Sequence, residues 1–71
     1  MPFVNIKLLG GEDAPTPAQK AELIKGATDL LVNVLGKNPA TTIVVIEEVD
    51  AHGWGIGGES VPARRAKAAK S

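Results

Sequence analysis

The sequence predicts a small α/β subunit: a β-α-β unit with a parallel strand pair, closed by a short C-terminal hairpin and extended by self-association. Three observations carry that prediction, an alternating apolar segment at the amino terminus, a capped amphipathic helix after it, and a β-branched run beyond the helix. Strand, helix and strand in that order give a right-handed parallel unit, because a right-twisted strand feeding a helix returns onto the sheet in that sense. The 71 residues make one domain, since two halves would each fall below the roughly 40 residues at which unstapled cores fail.

In Phe3-Val4-Asn5-Ile6-Lys7-Leu8 the side chains of Val4, Ile6 and Leu8 share one face and those of Phe3, Asn5 and Lys7 the other, the period of a half-buried strand. Gly10-Gly11 breaks it, and Glu12-Asp13-Ala14-Pro15 reads as a loop. Thr16, Pro17 and Gln19 then supply a T-x-x-Q capping box with proline at the first helical position. From there Leu23, Ile24, Ala27, Leu30, Leu31, Val34 and Leu35 recur at three- and four-residue steps, which predicts a helix of about five turns. Gly36 suits the left-handed residue after a helix, and Pro39 forbids continuation.

Residues 41–46, Thr-Thr-Ile-Val-Val-Ile, are β-branched throughout and predict the second strand. Four consecutive apolar residues leave neither of its faces polar, as in a strand covered on both sides. One helix covers one face only, so the other calls for a further subunit. Gly53-Trp54-Gly55-Ile56-Gly57-Gly58 is suited to a turn or small hairpin. Residues 1–59 are accordingly read as a single domain. Residues 60–71, with Arg64, Arg65, Lys67 and Lys70 among alanines, are read as a basic arm, solvated or touching another subunit and helical after Pro62.

Composition narrows the function classes. Ten of the apolar residues are alanine, leaving 21 large apolar side chains for a core. With no cysteine, disulfides and thiolate zinc sites are excluded, and oligomerisation remains as the means of stabilising so thin a core. Eight basic and eight acidic residues cancel, and the arm's cations lack interleaved aromatics, so no nucleic-acid partner is expected. No apolar run approaches the roughly 18 residues of a membrane span. Asn5 and Lys7 interrupt any apolar leader, so a cytoplasmic location without a membrane partner is expected.

Few residues offer chemistry. His52 is a lone histidine in a turn before glycine, and Glu47 and Glu48 point to opposite faces of one strand, so they form no carboxylate pair. Gly55-x-Gly57 is an incomplete phosphate-loop pattern with no helix start after it. Pro2 is left. Removing Met1 would make it a rigid secondary amine, and an α-amino group titrates near about pH 8 before burial. Apolar surroundings disfavour its ammonium form, which would make it a base near neutrality.

Pro2 opening a strand, the capped helix, the Val/Ile strand and Trp54-Gly55-Ile56-Gly57-Gly58-Glu59 together resemble the 4-oxalocrotonate tautomerase family of the tautomerase superfamily. The resemblance covers the chain through Glu59 and implies a β-α-β subunit assembled as a hexamer. It implies Pro2 as the base of a keto-enol isomerisation of small 2-oxo or 2-hydroxy acids, with no metal or organic cofactor. Trp54 falls where the family places an active-site aromatic. The chain diverges at two places: the arginines that bind a diacid substrate in the family match Glu12 and Val44 here. A substrate carboxylate must then find Lys7, Lys37, Arg64 or Arg65. The alternative to a tautomerase is a non-catalytic chain, in a homo-oligomer or as the partner chain of a hetero-oligomer.

Overall fold

The computed structural model describes residues 1–70, with side chains through Ala68. The chain runs β1 (Phe3–Leu9), a short 3-10 turn, α1 (Pro17–Leu35), a second 3-10 turn, β2 (Ile43–Val49), a third, the hairpin strands β3 (Gly55–Ile56) and β4 (Glu59–Ser60), and α2 (Val61–Lys70). β1 and β2 are parallel, in a register running from Phe3 opposite Ile43 to Leu9 opposite Val49. β3 and β4 form a separate antiparallel pair. The β-α-β unit and its terminal hairpin are those the sequence predicts.

Each local signal has its physical counterpart. Thr16 accepts from the Gln19 amide at 3.1 Å while the Gln19 side chain accepts from the Thr16 amide at 2.9 Å, so both halves of the capping box form. Gly36 ends α1 at φ 66, a conformation in which a Cβ is strained. Gly57 and Gly58, at φ 61 and 87, make the two-residue turn of the hairpin, where both central residues need positive φ.

β2 departs from its predicted bounds at both ends. Asn38 caps the preceding 3-10 turn through the Ala40 amide, and its carbonyl accepts from the hydroxyls of Thr41 and Thr42. That withdraws both threonines from the sheet. At the far end the strand continues through Glu47 and Glu48 because β1 extends opposite them as Lys7 and Leu8. The two carboxylates do lie on opposite faces. Glu48 pairs with Lys20 of α1 at 2.6 Å, and Glu47 accepts from the Asn5 side chain on the other side.

α1 covers the sheet face that carries Val4, Ile6, Leu8, Val44 and Ile46. The opposite face, with Phe3, Asn5, Lys7, Ile43 and Val45, is exposed apart from the half-buried Val45. Phe3 is 63% exposed. A second apolar stripe on α1, including Leu30 and Val34, is equally open. Between α1 and the free edge of β1 lies an apolar groove of about 560 Å³ lined by Ile6, Pro15, Leu23, Ala27 and Leu30.

Among the described residues Val61 alone is buried, at 7% exposure. The accessible surface is 5102 Å², against about 4,200 Å² for a compact chain of this mass. The radius of gyration is 16.0 Å, against about 11 Å for a globule of this length. One copy therefore has secondary structure and almost no core, which agrees with the self-association expected from composition. No helix among the described residues is long and apolar enough to cross a membrane.

Candidate active site

Pro2 sits at the mouth of the parallel pair. Its carbonyl accepts from the Ile43 amide at 3.0 Å, which fixes the residue one step before β1 begins. The residue before it, Met1, is 87% exposed. Removing Met1 would cost no packing and would leave a pyrrolidine nitrogen at a fixed point, held by a backbone bond to β2.

Trp54 is at the other end. It follows β2 through the third 3-10 turn, residues Ala51–Gly53, and its amide donates to the Ala51 carbonyl at 3.2 Å. Its own carbonyl accepts from Val61 at 2.9 Å, tying the start of the hairpin to the start of α2. Seven-residue strands at about 3.3 Å per residue separate the two ends of the sheet by roughly 20 Å. One copy of the chain thus keeps Pro2 and Trp54 apart.

Asp50 aims this end of the molecule. Its carboxylate accepts from the His52 amide at 2.9 Å and lies 3.3 Å from His52 Nδ1. Those contacts, the backbone N–H first, hold the Asp50 carboxyl below the usual carboxylate range. An acid whose folded value is depressed contributes its stabilisation above the ordinary range and loses it as pH falls through the lowered value. Loss of the Asp50 turn, read by Trp54 emission, is therefore expected only at acid pH below the ordinary carboxylate value, whereas Asp50→Ala should show it already at pH 7. The Asp-x-His-Gly sequence is an Asx-turn signal that could have found this residue.

The predicted cations are dispersed. Lys7 is exposed on the uncovered sheet face, partway along β1. Lys37 lies beyond the end of α1, toward the Pro2 end. Arg65, on α2, is ion-paired with Asp13 of the first 3-10 turn. Arg64 reaches back over the hairpin, its Nη1 3.4 Å from the Ile56 carbonyl.

The two divergent positions also separate. Glu12 is exposed on the first 3-10 turn, at the end of the sheet remote from Pro2. Val44 is half-buried on the face under α1, opposite Val4, so an arginine there would have to run beneath the helix. The residue of β2 that opens outward beside Pro2 is Ile43, 43% exposed. An arginine serving Pro2 from this strand would stand at that position.

Comparison with known proteins supplies what one copy cannot. The family model described as tautomerase enzyme matches residues 2–64. The chain is 59% identical over 68 residues to the probable tautomerase K2 of Dickeya dadantii, covering 96% of this chain and 98% of that one. It is 38% identical over 60 residues to a 2-hydroxymuconate tautomerase of Pseudomonas putida, covering 84% of this chain and 90% of the relative. Among solved structures, the crystal structure of DmpI from Helicobacter pylori superposes with a TM-score of 0.83 at 51% identity, over 92% of this chain and 97% of that one.

Proposed function

Because the chain belongs to the tautomerase enzyme family, we propose that it interconverts the enol and keto forms of small 2-hydroxy and 2-oxo acids, with the amine of Pro2 as the base once Met1 is removed. The observation that carries the reading is the placement of Pro2: tied by its carbonyl to Ile43, it stands one residue before β1 with its nitrogen joined to the exposed Met1. The neutral amine accepts the proton of the C2 hydroxyl, breaking O–H as C2=O forms. The resulting ammonium gives that proton to C3, forming C–H where the C2=C3 double bond was. The amine is regenerated, so a fixed nitrogen near neutrality is the one acid-base group the cycle requires.

The apolar wall is Trp54, supplied by another copy of the chain. The roughly 20 Å between Pro2 and Trp54 and the coreless single copy support this arrangement together, because the association that covers the open faces is also what can carry one copy's hairpin to another's strand mouth. We read the assembly as a homohexamer.

Charge selects the substrate. A charged hydrogen bond contributes roughly 1.5 to 3 kcal/mol, so absence of both family arginines removes about 3 to 6 kcal/mol of diacid binding, or two to four powers of ten. The name of the Pseudomonas putida relative gives it 2-hydroxymuconate, a diacid, and this chain's charge pattern disfavours such a substrate. A monoacid with an aromatic end, such as the enol of an aryl pyruvate, instead gains a face against Trp54. Comparison of kcat/KM for the two in methionine-free protein is expected to favour the monoacid. A diacid preferred by a wide margin would overturn this choice of substrate, and no turnover of either would overturn the tautomerase reading.

A further inference from the structure

Five contacts between a carboxylate and a basic side chain are formed among the described residues, and they distribute the cations unevenly. Lys20 pairs with Glu48, Lys25 with Asp29, Arg65 with Asp13, Lys67 with Glu59, and His52 faces Asp50. Lys7, Lys37 and Arg64 are the described Lys and Arg side chains left without a carboxylate. Lys7 projects partway along the open sheet face and Lys37 is at the Pro2 end, so neither moves with Trp54.

Arg64 does. It sits one turn into α2, whose first amide, that of Val61, is bonded to the Trp54 carbonyl at 2.9 Å. Its guanidinium lies against the hairpin turn, 3.5 Å from where a Cβ on Gly57 would stand, and its hydrogen-bond acceptor among the described residues is the Ile56 carbonyl at 3.4 Å. Most of its five donors are thus unspent. Beside it is a depression of about 290 Å³ walled by Ile56, Val61, Ala68 and Arg64 itself, with the Asp13-paired Arg65 also on its rim. An apolar hollow and a planar cation with free donors are therefore held on one hairpin-helix corner, whose first helical amide is bonded to the Trp54 backbone. Planar guanidinium matches a carboxylate with two parallel hydrogen bonds, which an ammonium cannot do.

Resting on the reading above, we propose that Arg64 is the residue that binds the substrate carboxylate, on the same subunit as the Trp54 wall, and that Arg65 is a structural cation occupied by Asp13. The ligand class is an aryl monocarboxylate. The corner would carry carboxylate recognition and aromatic stacking to the strand mouth of another copy as one unit.

The test needs no turnover. Trp54 is the one tryptophan of the chain, so its fluorescence reports binding next to Arg64. Titration of methionine-free protein with 3-phenylpropionate and with its neutral amide should show the acid binding roughly tenfold to a hundredfold more tightly, the range of one charged hydrogen bond. That preference should vanish in both Arg64→Ala and Arg64→Gln and return in part in Arg64→Lys, with assembly unchanged. It should persist in Arg65→Ala, Lys7→Ala and Lys37→Ala. Preference retained without Arg64, lost on replacing another cation, or absent from the wild type would overturn the assignment. Failure of the tautomerase reading is separate: it appears as acid binding through Arg64 with no Pro2-dependent turnover.

Discussion

Val45→Asp is expected to yield a chain that neither assembles nor folds. Val45 stands in the middle of β2 on the face opposite α1, flanked across the sheet by Asn5. In one copy that face is open, so the new carboxylate would meet water and cost little there. In the proposed assembly the same face would be covered, and an unpaired charge taken out of water costs several kcal/mol in each subunit. Folded chains have only about 5 to 15 kcal/mol in total, and a copy in which Val61 is the one buried side chain among the described residues has no core to fall back on. Loss of association should therefore remove the fold with it. Sedimentation velocity at micromolar concentration should show one large species for the wild type and for the volume-conserving Val45→Leu, and monomeric chain with lost far-ultraviolet dichroism for Val45→Asp. A stable folded monomer of the wild type would contradict the assembly and the shared site built on it.

Pro2→Ala is expected to lower kcat/KM by about 10² to 10⁴, the range for losing a positioned acid or base. The substitution leaves an α-amine after methionine removal, so the effect isolates the ring. The pyrrolidine holds its nitrogen rigidly on the strand axis, whereas the alanine amine rotates and is more easily solvated. The carbonyl bond to Ile43 is available to either residue, so the oligomer and its melting behaviour should hardly change. Equal activity in the two proteins would reduce Pro2 to a strand start.

The elements that the sequence makes legible are those set within a few residues. The capping box at Thr16, the left-handed Gly36 and the small hairpin expected around residues 53–58 each depend on neighbours in the chain, and each forms, the hairpin with its turn at Gly57-Gly58. The bounds of β2 are not local in that way. They depend on Asn38 collecting the hydroxyls of Thr41 and Thr42, and on β1 reaching far enough to pair Glu47 and Glu48. The candidate site is less legible still. Pro2 and Trp54 can be named from residue chemistry and motif, but their placement at opposite ends of the sheet follows from parallel topology. Arg64 and Arg65 are adjacent and alike in sequence, and only the return of α2 to Asp13 tells them apart.

Met1 gives the most direct test of the central claim, since it closes the proposed base by a peptide bond and packs against nothing. Protein purified with Met1 retained, then treated with a methionine aminopeptidase, can be followed at once by intact mass and by tautomerisation of an aryl enolpyruvate. Activity is expected to be absent or at least a hundredfold down at the start, and to rise in proportion to the fraction of chains that have lost the methionine, with the oligomeric state constant throughout. Full activity before any methionine is released would contradict a Pro2 amine as the base.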